Sequence, residues 1–207
     1  MNTPKTSKLL YIFFSWFIGR IMRSDFDRVI YKGTEEEAGL PILLLANHFS
    51  WWDGFILFIL NKRYLKKRFY VLVTEENYHK VWFLKYLGAF SVKRKSKSVI
   101  ETLHYAGQLL NNPDNLVLYF PQGKLYSNHL DKISFEKGIL RIINACETQF
   151  QYVFAASFVD YFDKRKPTLT CYLKRWTPAE PLDLTAIADA YNDHYETSRQ
   201  QQCAISV

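Results

Sequence analysis

His48 and Asp53 stand five positions apart where an apolar run ends, in Leu43-Leu44-Leu45-Ala46-Asn47-His48-Phe49-Ser50-Trp51-Trp52-Asp53-Gly54. An imidazole and a carboxylate work together as a proton acceptor. The carboxylate holds one ring nitrogen and leaves the other free to take a proton from a hydroxyl. The spacing sets a condition on the backbone. On a regular helix a five-residue step rotates by roughly 140°, so the two side chains would point apart. Only a turn brings them together. The competing reading is a turn histidine beside a helix cap, with no chemistry attached.

The flanking sequence supplies such a turn. Pro41 to Ala46 reads as a short buried strand, an apolar run bounded by a proline and a polar turn. A helix is expected over 54–65, with Asp53 as its N-cap. His48 and Asp53 then lie between a strand and the next helix, where an open α/β sheet presents its ligands. Further helices are expected over 6–23, 75–87 (after a Thr74 cap), 98–111, 137–147 and 184–202. Further strands are expected over 28–32, 69–73, 89–92, 116–120, 152–159 and 168–173. Strands alternating with helices imply an α/β domain over residues 25–207. An N-terminal amphipathic helix over 1–24 precedes it.

The chain has 207 residues, 48% of them hydrophobic and 17% aromatic, enough for one sizeable core and incompatible with disorder. Its net charge of +7 is uneven. Residues 1–130 carry 18 Lys+Arg against 10 Asp+Glu, whereas residues 131–207 carry 9 against 10. The part that bears the histidine is therefore the basic part. It favours anionic partners: a phospholipid surface, a phosphorylated substrate, an acidic carrier or nucleic acid. Lys62-Arg63-Tyr64-Leu65-Lys66-Lys67-Arg68 reads as a solvated face, or as a contact for anionic lipid or acyl carrier protein. No nucleic-acid module accompanies it. Cys146, Cys171 and Cys203 have no metal spacing and read as reduced cytoplasmic thiols. The five histidines are scattered and suggest no zinc site.

No stretch reaches the ~18 apolar residues of a membrane span. The nearest is Leu9–Met22, which holds Tyr11, Phe13, Phe14, Trp16 and Phe17, with Lys5 and Lys8 before it and Arg20 and Arg23 at its end. It reads as a helix lying in the membrane interface. The alternative is an amphipathic helix packed on the domain.

Asn47-His48-x4-Asp53 is the first of several segments that resemble the glycerolipid acyltransferases, the superfamily typified by lysophosphatidic acid acyltransferase. Gly88-Ala89-Phe90-Ser91-Val92-Lys93-Arg94 resembles the second block, a Gly-led strand ending in arginine. Phe120-Pro121-Gln122-Gly123 resembles the third, commonly F-P-E-G-T-R. Phe135-Glu136-Lys137-Gly138 resembles the F-K-x-G element that follows. The likeness covers roughly residues 25–160 and implies a mixed sheet flanked by helices. It also implies lipid O-acyl transfer from acyl-CoA or acyl carrier protein to a hydroxyl of a lysophospholipid or glycerol phosphate-type acceptor. His48 would be the general base and Asp53 its orienter, with the acceptor's hydroxyl where a serine hydrolase has its serine. Backbone N–H groups near the following helix N-terminus are candidates to hold the oxyanion. No G-x-S-x-G is present, so Ser50 is not read as a nucleophile. No metal or bound cofactor is implied.

By the same resemblance Arg94 binds acceptor phosphate, and Gln122, Gly123 and Lys124 belong to the substrate site. Two departures matter. Gln122 replaces the family's glutamate, and Leu125 replaces its phosphate-binding arginine, leaving Lys124 one position earlier as the nearest cation. These changes open two alternatives: the same chemistry on a non-phosphorylated acceptor, such as a lyso-aminolipid or glycolipid, or a non-catalytic lipid-binding relative. The fourth block lacks its usual proline in Tyr152–Ser157, so no site residue is carried over there. His79, His104, His129 and His194 read as surface or core histidines. The expected location is peripheral, on the cytoplasmic face of a membrane.

Overall fold

The computed structural model describes residues 1–33, 39–93, 98–179 and 182–207. Seven strands form one mixed sheet in the order β1-β7-β6-β2-β5-β3-β4. The strands are β1 (Arg28–Lys32), β2 (Ile42–Ala46), β3 (Arg68–Thr74), β4 (Ala89–Val92), β5 (Asn115–Tyr119), β6 (Gln151–Asp160) and β7 (Thr168–Trp176). Every pairing is parallel except β6 with β7. The helices are α1 (Lys8–Asp25), α2 (Asp53–Leu60), α3 (Glu75–Lys80), α4 (Ser98–Leu109), α5 (Gly138–Asn144) and α6 (Leu184–Cys203). The expected α/β class and its mixed sheet are therefore what the chain adopts.

β2 is buried from end to end because it lies between β5 and β6 and is covered on both faces. Ile42, Leu44 and Ala46 enter a core shared with α1 and α2, while Leu43 and Leu45 enter a second core with α4, α5 and α6. That two-sided burial is why its sequence shows no polar alternation. The strand's C-terminal end holds the turn that carries His48.

Two helices differ from expectation. The one foreseen over 54–65 starts at Asp53, with Trp52 in the N-cap position, and turns into a π-helical segment at Asn61–Leu65. The Asn61 side chain stops it by donating to Lys67 C=O and accepting from Lys67 N–H. The helix foreseen over 75–87 starts under its Thr74 cap but breaks at Val81 into a 3-10 turn, Trp82–Leu87. Phe83 stacks on Phe14 of α1 at 4.5 Å between ring centroids, so packing on α1 accompanies the break. Gly88 closes the turn with φ +94°, and the place of its absent Cβ is filled by the Phe69 carbonyl oxygen. Only glycine fits there, which explains the glycine that leads the second block. Arg94 lies outside the described residues.

α1 buries Phe14, Ile18 and Met22, one stripe at four-residue spacing, in the core beside α2. Its other side leaves Leu9, Ile12, Phe13 and Trp16 exposed. Among the described residues no helix is long and apolar enough to cross a membrane.

Candidate active site

The turn between β2 and α2 is built around one oxygen atom. Asp53 Oδ2 lies 2.8 Å from His48 Nδ1 and accepts the N–H groups of Phe49 and Ser50 at 2.7 and 2.9 Å. Asp53 thus folds back onto the turn instead of capping the helix forward. The Ser50 hydroxyl accepts Trp52 N–H, so this side chain shapes the turn. Asp53 is 2% exposed and His48 25%. Burial raises the Asp53 carboxyl above its ordinary range, opposed by the bonds from His48, Ser50 and Phe49. Its other oxygen, Oδ1, is buried with no hydrogen-bond partner among the described residues, which adds to that cost. When the Asp53 carboxyl is ionised it can only accept, so Nδ1 would donate the shared hydrogen and Nε2 would be the nitrogen left to act on a substrate.

This arrangement narrows the choice of oxyanion donors. The Phe49 and Ser50 N–H groups sit near the start of α2, as oxyanion donors would, but Asp53 already occupies both. They serve the histidine's orientation.

The third block holds His48 from the other side. Gln122 Oε1 accepts His48 N–H at 2.6 Å, and Tyr126 N–H donates to His48 C=O at 3.0 Å. The Phe120 ring stacks on the imidazole at 4.1 Å between centroids and 17° between planes. Gln122 is 3% exposed, so it touches the histidine's backbone and sits beneath the turn. The preceding residue is fixed as well. The Asn47 amide donates to Ser157 C=O and accepts Ser157 N–H, both at 2.9 Å, tying the turn to β6. Tyr191 of α6 donates to Ala155 C=O of the same strand. The roles of Asn47, Phe120 and Ser157 had no signal in residue type. Each depends on which strand ends lie side by side.

His48 lines a cavity of about 890 Å³. Phe55, Phe58, Phe69, Val71, Leu84 and Leu87 form much of its apolar wall. Gly123, Lys124, Leu125, Glu136, Lys137 and Arg141 line it on the side of the third block and the element that follows it. Pro121 C=O accepts Glu136 N–H, which joins those two blocks. Gly123 has φ +65°, and Glu136 lies over the face where a Cβ would project. Lys124 sits over the Tyr126 ring at 5.0 Å. Among the sequence-derived site residues, His48, Asp53, Gln122, Gly123 and Lys124 are brought together. Arg141 was not foreseen, although its four-residue spacing from Lys137 puts the two on one helix face.

The remaining histidines stand apart. His79, His104 and His129 are exposed. His194 is buried, with Nε2 3.1 Å from Tyr172 C=O, and burial lowers its pKa to about 4.

The chain was also compared with known proteins. A search of curated proteins finds no match. A protein-family model described as Acyltransferase matches residues 28–156, from β1 into β6, and so includes the His48 turn, the second block and the loop that holds Gln122. That span exceeds half of the chain and carries every block of the motif set: this chain belongs to the acyltransferase family.

Proposed function

We propose that this protein is a lipid O-acyltransferase in which His48 acts as general base and Asp53 orients it. The observation that carries the reading is the bond from Asp53 Oδ2 to His48 Nδ1, made at the wall of a large apolar cavity. A fatty chain matches that cavity better than a polar metabolite does. The acyl donor is a thioester of coenzyme A or of acyl carrier protein, and the acceptor is a lipid bearing a free hydroxyl.

The step balances without a bound cofactor. His48 Nε2 takes the hydroxyl proton as the acceptor oxygen bonds to the thioester carbonyl carbon. The resulting imidazolium is stabilised by Asp53. When the tetrahedral intermediate collapses, the C–S bond breaks and the thiolate takes the proton from His48. The chain then holds the same protons as before, and an ester has replaced a thioester.

The reading includes peripheral attachment to the cytoplasmic face of a membrane. It is supported by the exposed Leu9, Ile12, Phe13 and Trp16 of α1, with Lys5, Lys8, Arg20 and Arg23 around them. The test of the activity is direct. Purified protein is incubated with radiolabelled acyl-CoA, or acyl carrier protein thioester, and a panel of lysolipids. Label in an ester lipid together with released thiol is the expected result. No label above buffer with either donor would contradict the reading.

A further inference from the structure

Residues 121–137 form neither helix nor strand. The first part of this loop holds His48, through Gln122 and Tyr126, and its last part lines the cavity with Glu136 and Lys137. A loop of that length needs partners for its backbone groups and a restraint on its middle. α6 supplies both. The Asn192 amide accepts Ile133 N–H at 2.7 Å and donates to Ile133 C=O at 3.0 Å. The same amide nitrogen donates to Ala188 C=O at 2.7 Å, one turn back in α6, which fixes the side chain on its own helix. Ile133 is buried and packs in the core that holds Ile187, Tyr191 and Tyr195 of α6. The Phe135 and Tyr191 rings lie 5.5 Å apart between centroids. Two ion pairs, Lys132 with Asp189 and Asp131 with Arg199, join the same stretch to α6, but they are largely exposed and contribute little. α6 is fixed to the sheet in turn, since Tyr191 donates to Ala155 C=O of β6 and Gln202 bonds to Tyr172 and Asp160.

We infer that Asn192 is a positioning residue for His48: it holds the middle of the 121–137 loop against α6, and the loop holds the histidine. The inference rests on the reading of His48 as general base and extends the site to a helix that carries none of the motif residues. An amide has both an acceptor and donors, so one side chain can take both backbone groups of Ile133 and set its position and its orientation. From Ile133 the restraint runs along the chain to Glu136, whose N–H donates to Pro121 C=O. Next to Pro121 stands Gln122, whose side chain accepts His48 N–H. Without Asn192 both Ile133 backbone groups lose those partners, and the loop must shift to satisfy them with water. His48 then loses part of its restraint.

The test compares wild type, Asn192→Ala and Gln202→Ala. Alanine is the better helix former, so neither substitution weakens α6 through propensity. Gln202→Ala removes buried hydrogen bonds between the same helix and the sheet without touching the loop, and so shows what loosening α6 alone does. Two readouts are taken at a temperature where circular dichroism shows all three proteins folded. The first is carbethoxylation of His48 by diethyl pyrocarbonate, read by mass spectrometry against the exposed His79 of α3. It requires no turnover. The second is steady-state kcat with the KM for the acyl donor. Asn192→Ala is expected to raise the His48 reactivity severalfold and to lower kcat about tenfold, a partial displacement of the base, with donor KM nearly unchanged. Gln202→Ala should match wild type in both readouts. If Asn192→Ala does not fold, Asn192→Ser, whose hydroxyl can bond back to Ala188 C=O, takes its place. Wild-type His48 reactivity in the Asn192 variant overturns the inference. So does a wild-type kcat, or an equal change in the Gln202 variant. Raised His48 reactivity in the Asn192 variant of a protein that transfers no acyl group would reject the reaction and leave the coupling from Asn192 to His48 standing.

Discussion

The side-chain oxygen of Gln122 accepts the backbone N–H of His48 at 2.6 Å, across 74 residues of sequence. This bond joins the first and third motif blocks. It gives position 122 a positioning role, because its oxygen is spent on the histidine's main chain. A glutamate there would supply the same acceptor.

Gln122→Leu removes that acceptor and leaves the His48 N–H, which is partly buried, unpaired. Turnover should fall by about 10²-fold, as a base misplaced by an ångström costs that much, with substrate binding changed far less. Gln122→Glu should stay within a few-fold of wild type. Steady-state kcat and KM for the three proteins check this. A Gln122→Leu enzyme with normal kcat would remove the positioning role.

Asn47 pairs with both backbone groups of Ser157. Asn47→Ala strands a buried donor and a buried acceptor and should cost about 2 kcal/mol or more of stability. Urea denaturation measures it through the midpoint at unchanged m. An unchanged midpoint would mean that the clamp contributes nothing.

The strand-turn-helix around His48 is legible in the sequence because Leu43–Ala46 is apolar on both faces and the polar residues begin abruptly. The glycine-led strand at Gly88 and the Phe120-Pro121 loop are legible for similar reasons. The break of the helix at Val81 is not, because it accompanies the packing of Phe83 on Phe14, far away in sequence. The inward turn of Gln122 is hidden too. An exposed headgroup contact and a buried backbone acceptor have the same residue type, and only the adjacency of β2 and β5 distinguishes them.

α1 has a buried stripe and an exposed one, so deleting it would open the core. The sharper test of membrane docking replaces only Ile12, Phe13 and Trp16 with serine, leaving Phe14, Ile18 and Met22 in place. Sedimentation with anionic vesicles should drop severalfold while the Tm stays within a few degrees. Unchanged sedimentation by a folded triple variant would reject docking through this face.

His194 is held neutral by burial, with its pKa lowered to about 4 from the ordinary 6.5. Between those values the unfolded chain binds the proton and the folded one does not. The stability His194 contributes is therefore complete above about pH 6.5, declines as pH falls towards 4 and changes no further below it. The loss is on the order of 3 kcal/mol. Denaturation of wild type and His194→Gln at pH 7 and pH 4.5 checks the sign. The variant should lose less stability than wild type on acidification. An equal loss in both would place the acid sensitivity elsewhere.

In the proposed reaction His48 takes the acceptor's proton with Asp53 behind it. The most direct measurement is kcat for acyl transfer by His48→Ala, beside wild type and Asp53→Asn, with folding checked by circular dichroism and donor binding by titration. His48→Ala should fold, bind the acyl donor normally and turn over about 10²–10⁴-fold more slowly. Asp53→Asn should also be impaired, since it loses the charge that stabilises the imidazolium. A folded His48→Ala protein that transfers acyl groups at the wild-type rate would exclude His48 as the base.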